Sequence, residues 1–212
     1  MNPFQVVKDF EKAVAEYTGA PYCVAVNSCT NALFLCIEYM KTNAEFIEYP
    51  FEVEIPKHTY ISVPMQIIHA GGKVKFRNED WSGAYQLRPF PIWDAARRFT
   101  TNMWLKVCDE DINSFPFVCI SHHWHKILGI QQGGCILHNN NHADKWFRKA
   151  RFDGRTEDVA PKDDKFDQLG WHMYMSPEIA AEGLVRLYHL PKYNSDLPND
   201  DYPNLSQMDI FK

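Results

Sequence analysis

Three groups in this chain have the types and the spacing of a chemical site. Lys126 stands in the run Ser121-His122-His123-Trp124-His125-Lys126-Ile127-Leu128, Asp94 follows Ile92-Trp93 and precedes Ala95-Ala96, and Asn27-Ser28-Cys29-Thr30 closes the apolar run Tyr22 to Val26. A lysine amine can condense with an aldehyde as a Schiff base, be displaced by another amine, and then carry a proton. A carboxylate can keep the nitrogen of a pyridine ring protonated, so that the ring accepts electrons from a carbanion. The amides and the partial positive charge of about half a unit at a helix start suit a phosphate dianion. Aldehyde, ring nitrogen and phosphate are the three handles of pyridoxal 5'-phosphate, and that cofactor is the expectation.

Each group also has a plain use. An arbitrary lysine is a solvated surface residue, an aspartate before Ala-Ala is a helix N-cap, and Asn-Ser-Cys-Thr ahead of a helix is a cap as well. For Asp94 the two uses are compatible. Taken singly none of the three is persuasive; their joint occurrence favours the chemical reading. The histidines His122, His123 and His125, with His138 and His142 further on, raise a metal site as an alternative. Positions 122 and 123 alternate faces, and no cysteine or carboxylate accompanies them at ligand spacing, so no metal is expected.

The elements that must position these groups alternate. Phe4, Val7, Phe10, Val14 and Tyr17 repeat at helical spacing behind Asn2-Pro3, with Gly19 as the stop. Tyr22 to Val26 reads as a strand and Asn31 to Met40 as a helix, with Leu33, Cys36, Ile37 and Met40 on one face. Tyr60 to Ala70 reads as a helix stopped by Gly71-Gly72. Lys73 to Phe76, Pro91 to Trp93, Phe117 to Ile120 and Cys135 to Leu137 are further strands; His142 to Phe152 and Pro177 to Leu190 are further helices. Such alternation predicts an α/β fold, a mostly parallel sheet with helices on both faces. Asp94, directly after a strand, then falls at the carboxyl edge, where ligands of open α/β sheets bind. Asp153 to Gln168 reads as a surface loop, and Pro191 to Lys212, rich in Asn, Asp and Pro, as a weakly ordered polar tail. No internal repeat is visible.

Composition sets outer limits. With 212 residues, 45% of them hydrophobic and 14% aromatic, the chain holds one sizeable core, which predicts a single α/β domain over residues 1–190 and the tail over 191–212. A net charge of -5 offers no basic surface to a nucleic acid. No apolar stretch reaches the roughly 20 residues of a membrane span, and no charged segment followed by an apolar run opens the chain; the expected location is cytoplasmic. Of the six cysteines, Cys23, Cys36, Cys119 and Cys135 sit in apolar runs and none forms a Cys-x-x-Cys pair, which predicts free, mostly buried thiols.

From Phe10 to Leu190 the motifs stand in the order of a known group: Phe10-Glu11-Lys12-Ala13, Tyr22 to Leu33, Ile55-Pro56-Lys57-His58-Thr59-Tyr60, Gly71-Gly72-Lys73-Val74-Lys75-Phe76, Ile92-Trp93-Asp94-Ala95-Ala96, Ser121-x-x-x-x-Lys126-x-Leu128, Gly133-Gly134-Cys135-Ile136-Leu137, Arg148 to Gly154, and Gly170 to Leu190. The chain resembles the DegT/DnrJ/StrS group of pyridoxal phosphate-dependent sugar aminotransferases. The resemblance implies a reduced transferase fold of type I, with Lys126 and Asp94 catalytic. Cofactor contacts would come from Ser28, Cys29, Thr30, Ser121, Asp94, Arg97 and Lys126, with Tyr60 stacked on the ring. His123 would touch substrate. His172, in place of the asparagine of a Gly-x-Asn-x-Arg motif, would reach the cofactor phosphate of a neighbouring subunit in a homodimer. A related dehydratase branch carries histidine at the lysine position, so a lysine argues for amino transfer. The implied reaction moves an amino group from an amino acid, glutamate, to a nucleotide-linked keto sugar.

The chain also departs from the group. Arg77 to Pro91 is short where relatives insert further strand and helix units, which predicts a smaller sheet, and the usual C-terminal domain is expected to be missing. Arg97 stands where glutamine or histidine follows Asp-Ala-Ala, Gln131-Gln132 replaces Gly-Glu before Gly133, and Tyr174 replaces the arginine of the Gly-x-Asn-x-Arg motif. These departures leave open a non-catalytic relative that holds cofactor or nucleotide sugar as a subunit of a larger assembly, or a different pyridoxal phosphate reaction on a small amine.

Overall fold

Helix α1 (Gln5–Thr18) presses Val7, Phe10 and Val14 against strand β1 (Tyr22–Val26) and ends at Gly19, whose φ of 78° is the left-handed stop that glycine takes most easily. The computed structural model describes residues 2–43, 50–110 and 115–211. After β1 the chain runs through helix α2 (Cys29–Asn43), strand β2 (Glu52–Pro56), helix α3 (Ser62–His69), strand β3 (Lys73–Arg77), strand β4 (Tyr85–Leu87) and strand β5 (Ile92–Asp94). Helix α4 (Met103–Glu110), strand β6 (Phe117–Ser121), strand β7 (Gly134–His138), helix α5 (Asn141–Ala150) and helix α6 (Pro177–His189) follow.

The main sheet has the order β1-β7-β6-β5-β4, and β2 pairs with β3 in a separate two-stranded sheet. This is the expected α/β architecture, but strand direction is more mixed than alternation alone predicts. β5 and β6 are parallel, as are β2 and β3, whereas β1–β7, β6–β7 and β4–β5 are antiparallel. Connection type explains the difference. β5 returns to β6 through α4, and β2 to β3 through α3, the crossovers that parallel pairing requires. β6 returns to β7 through a loop without a helix, and β4 to β5 through the turn Arg88-Pro89-Phe90-Pro91, so both reverse. β1, β5 and β6 nevertheless run in one direction, which puts Val26, Asp94 and Ser121 at one edge.

The strands are covered on both faces. In β6, Phe117 and Cys119 join the cluster with Leu33, Ile37 and Phe147 from α2 and α5, while Val118 and Ile120 join the one with Phe10, Met103 and Ala180 from α1, α4 and α6. Alternate residues of a strand point to opposite faces, so unbroken burial through β6 and β7 follows from two apolar layers. Cys23, Cys29, Cys36, Cys119 and Cys135 are free thiols and buried. Among the described residues no helix is long and apolar enough to cross a membrane.

Sequence patterning missed β2, β4 and α4, and it misjudged the order of residues 191–211. That segment is docked along the domain. Leu205 is buried, Phe211 packs on Phe76, Asn194 Nδ2 donates to the Tyr17 hydroxyl and to the Phe99 carbonyl, and Arg98 forks onto Asp196. Asn and Asp, counted from composition as solvating, here satisfy groups at the domain surface.

A buried ionic lock ties α1 to the end of α5. The Glu11 carboxylate accepts from the Ala25 amide at 2.8 Å, pairs with Arg148 at 2.8 Å, and pairs with the buried Arg151, which also reaches Glu157 at 2.6 Å. Burial pushes the Glu11 carboxyl up, but the charges of Arg151 and Arg148 outweigh it and hold the group below its ordinary 4.5. A carboxylate depressed by folding stabilises fully above its unfolded pKa, and the contribution is lost as pH falls through the lower folded value. Glu11→Ala leaves Arg151 buried with one of its two carboxylates gone and is expected to cost about 3–5 kcal/mol, read from denaturant midpoints at pH 7. The deficit relative to the parent should shrink in acid below pH 4.5. An unchanged midpoint at pH 7 would contradict the assignment.

Candidate active site

The turn at the end of β1 is built by local capping and by one close approach. Ser28 caps α2, its Oγ accepting the Asn31 amide at 3.1 Å, and Asn31 Nδ2 donates to Asn27 Oδ1 at 2.7 Å. The Thr30 hydroxyl bonds to that of Ser62 at 2.9 Å. Among the described residues the first-turn amides of Cys29 and Thr30 have no acceptor, being the helix-start donors that the Ser28 cap leaves unfilled. Gly134, in β7, pairs with Val26 on one side and Ser121 on the other. A Cβ at Gly134 would lie 2.4 Å from the Cys29 nitrogen and 2.7 Å from the Ser28 carbonyl carbon, so the turn rests directly on the strand.

Asp94 ends β5 and is buried. No helix follows Asp94, so the expected N-cap is not formed: its Oδ1 accepts the Ala96 amide at 2.9 Å within a turn, and its Oδ2 accepts the Tyr85 hydroxyl at 2.9 Å. Burial raises the Asp94 carboxyl above its ordinary value, opposed by those two hydrogen bonds and by the charges of Lys126 and Arg97. Lys126 lies in the loop after β6, where its amide bonds to the His123 carbonyl at 2.7 Å. Among the described residues its ammonium has neither a hydrogen bond nor an ion pair. Burial lowers its pKa, and Arg97 lowers it further against the opposing pull of Asp94. More of the neutral, nucleophilic amine is therefore present at a given pH than for a solvated lysine.

These groups share one cavity of about 430 Å³, a volume ordinary for small-molecule sites. Ser28, Cys29, Thr30, Tyr60, Asp94, Arg97, Ser121, His123 and Lys126 all line it. His172 does not. It is exposed and pairs with Asp153 at 3.0 Å. His122 is not in the cavity either: it is buried against Cys135, and burial drives its imidazole down to about 3. Among the described residues no three His, Cys, Asp or Glu side chains gather as a metal site.

The sequence did not single out Tyr85, Ser62, Asp201 or Tyr202. Thr59 was part of a recognised motif, and its hydroxyl bonds to that of Tyr85 at 2.5 Å, so the motif threonine marked the Asp94 network without naming its other half. Asp201 and Tyr202, from the docked C-terminal segment, line the cavity and hold Arg97. Burial pushes the Tyr202 phenol up to about 12 despite Arg97, which keeps it neutral.

The residues present fit pyridoxal phosphate. An unpaired amine, a buried and oriented carboxylate, unfilled helix-start amides seated on a glycine, and an exposed aromatic, Tyr60, surround one space of suitable size. In this arrangement Ser28, Cys29, Thr30 and Ser121 could hold a phosphate, Asp94 a ring nitrogen and Lys126 an aldehyde carbon.

Comparison with known proteins points the same way. Residues 2–89 match the model of the DegT/DnrJ/EryC1/StrS aminotransferase family. Over 74 residues the chain is 40% identical to the spore coat polysaccharide biosynthesis protein SpsC of Bacillus subtilis (strain 168), a match covering 35% of this chain and 18% of SpsC. Among solved structures it is similar to PseC of Helicobacter pylori, described as an aminotransferase involved in the biosynthesis of pseudoaminic acid, with a TM-score of 0.66 at 15% identity over 86% of this chain and 57% of that one. It is likewise similar to NtdA of Bacillus subtilis, solved with bound cofactor PMP, with a TM-score of 0.66 at 16% identity over 87% of this chain and 48% of that one. At such identities the structural likeness carries the fold, and this chain spans about half the length of those proteins.

Gly134→Ala tests the seat of the turn. With its Cβ 2.4 Å from the Cys29 nitrogen, the substitution is expected to cost about 1–3 kcal/mol by overpacking. Because the displaced atoms are the turn itself, pyridoxal phosphate affinity, followed by absorbance, should fall about tenfold or more. Parental affinity in a folded Gly134→Ala protein would show that the turn does not hold the phosphate.

Proposed function

We propose that this chain, whose residues 2–89 match the model of the DegT/DnrJ/EryC1/StrS aminotransferase family, is a member of that family, binds pyridoxal 5'-phosphate in the Lys126 cavity and transfers an amino group from an amino acid, glutamate, to a nucleotide-linked keto sugar. The observation that carries the reading is the convergence on one cavity of an amine without a partner, a buried carboxylate fixed by two donors, and the open start of α2. The homodimer and the cytoplasmic location belong to the same proposal; the exposed position of His172 is compatible with a contact to a second subunit.

When bound, the cofactor supplies an aldehyde to the amine and a ring that takes up the electron pair left at the donor's α carbon. Lys126 would hold that aldehyde carbon and would take up and return the proton at the donor's α carbon; its lowered pKa suits both duties. Asp94 would hold the ring nitrogen, and its raised pKa brings its proton affinity nearer to that of a pyridine. Tyr85 and Ala96 keep its two oxygens oriented, so the carboxylate need not reorganise as charge moves. The amides of Cys29 and Thr30 and the hydroxyls of Thr30 and Ser121 bind the phosphate. Tyr60, which lines the cavity, would stack on the ring, and His123, which lines it too, would meet substrate.

The test is chemical. Borohydride reduction of the cofactor-loaded protein should leave a pyridoxyl group on Lys126 by peptide mass spectrometry, and Lys126→Ala should abolish it. Glutamate should convert the loaded protein to the pyridoxamine form, seen as an absorbance change, and Lys126→Ala should lower that rate by at least about 100-fold. An adduct on another lysine, or no adduct at saturation, would refute the reading. An adduct on Lys126 that no amino donor ever converts would favour the non-catalytic relative.

A further inference from the structure

Arg97 contributes the guanidinium of the Lys126 cavity, and its partners arrive from about a hundred residues further along the chain. Its Nη2 donates to Asp201 Oδ1 at 2.6 Å, its Nε donates to the Tyr202 hydroxyl at 2.8 Å, and its Cζ lies 4.5 Å from the centre of the Tyr202 ring. The two partners are held very differently. Tyr202 is anchored: its carbonyl accepts from His58 Nδ1 at 3.0 Å and its ring stacks beside Trp81. Asp201 has no other partner among the described residues, and its side chain is 67% exposed, while that of Arg97 is 12% exposed. A largely buried cation is thus completed by a carboxylate that stands mostly in water, and such a contact is weak and easily exchanged.

The position of Arg97 gives that exchange a use. It is three residues beyond Asp94 and lines the cavity with Asp94 and Lys126. It acts electrostatically on both Lys126 and Asp94. An anion on Arg97 therefore lies in the same cavity as the amine, where a substrate must enter.

We infer that Arg97 is a binding subsite for an oxyanion of the substrate, and that Asp201 is its built-in stand-in, displaced to solvent when the substrate's oxyanion takes Nη2 while Tyr202 stays on Nε. The inference rests on the reading of this cavity as the place where Lys126 meets its amino donor. The oxyanion is a carboxylate if the donor brings it and a phosphate if the nucleotide does; both bond a guanidinium fork in the same way.

Asp201→Asn removes the competing charge and leaves the anchored Tyr202 in place. Calorimetric titration of the cofactor-loaded protein uses glutarate, a dicarboxylate without an amine to react, and uridine diphosphate. Asp201→Asn should tighten one of them by roughly threefold, the gain identifying the carboxylate or the phosphate source. In an Arg97→Gln background both should bind more weakly and Asp201→Asn should change nothing. Unchanged or weakened binding of both probes in Asp201→Asn, or a gain that survives in Arg97→Gln, overturns the subsite. Borohydride trapping on the same samples separates the two claims: absence of the Lys126 adduct refutes the aminotransferase reading, while dependence of the Asp201→Asn effect on Arg97 still decides the subsite.

Discussion

The site depends on the absence of one side chain. Gly134 is the residue at which β7 meets both Val26 of β1 and Ser121 of β6, so the turn that opens α2 and the loop that carries Lys126 leave the sheet from either side of it. Any Cβ there would strike the backbone of Ser28 and Cys29. Backbone lying on backbone brings a helix start within reach of an amine nearly a hundred residues later in the chain, and no side-chain contact could set that distance as rigidly. The antiparallel insertion of β7 serves the same end: it keeps β1 and β6 pointing alike while separating them by one strand, the width across which the cavity opens.

Charge is then distributed by burial. Around Glu11 the carboxylate and its two arginines compensate one another within hydrogen-bond distance, and the lock holds α1 to the domain without unpaired charge. In the cavity the opposite holds. Asp94 is oriented by a phenol and an amide, the Lys126 amine has no hydrogen-bond partner among the described residues, and burial and then Arg97 lower its pKa against the pull of Asp94. A structural lock gains from mutual satisfaction; a site that must bond to something else needs groups whose hydrogen-bonding capacity is unfilled. The two places differ in this respect: Glu11 has its partners within hydrogen-bond distance, and the Lys126 amine has none among the described residues.

What was legible in the sequence was what is local. Lys126, Asp94 and Ser28 to Thr30 each sit in short patterns in which an apolar run ends at a polar residue, and the end of a buried strand is a position that neighbouring residues reveal. The same locality made α1, α5 and α6 readable to within a residue or three. Tyr85 was hidden because its role arises from pairing: β4 is three residues long, too short to show a period, and only the register Tyr85 to Asp94 brings the phenol to the carboxylate. The direction of β7 was hidden for a related reason, since alternation of strands and helices says nothing about whether a loop of a dozen residues contains a crossover.

The C-terminal segment shows the limit of composition most clearly. Asn, Asp and Pro describe a chain that cannot bury a core of its own, and from 191 onward it does not; Leu205 is its one fully buried side chain among the described residues. It is ordered by borrowing. Asn194, Asn199, the Leu197 amide and the Tyr202 carbonyl satisfy groups of the domain over which they pass, and each bond costs little because the domain has already fixed one partner. Attachment built from many such contacts has no single strong point, so a weak one such as Asp201 on Arg97 can open while its neighbours hold. A wall of the cavity made this way can yield locally to a ligand without the domain unfolding to admit it.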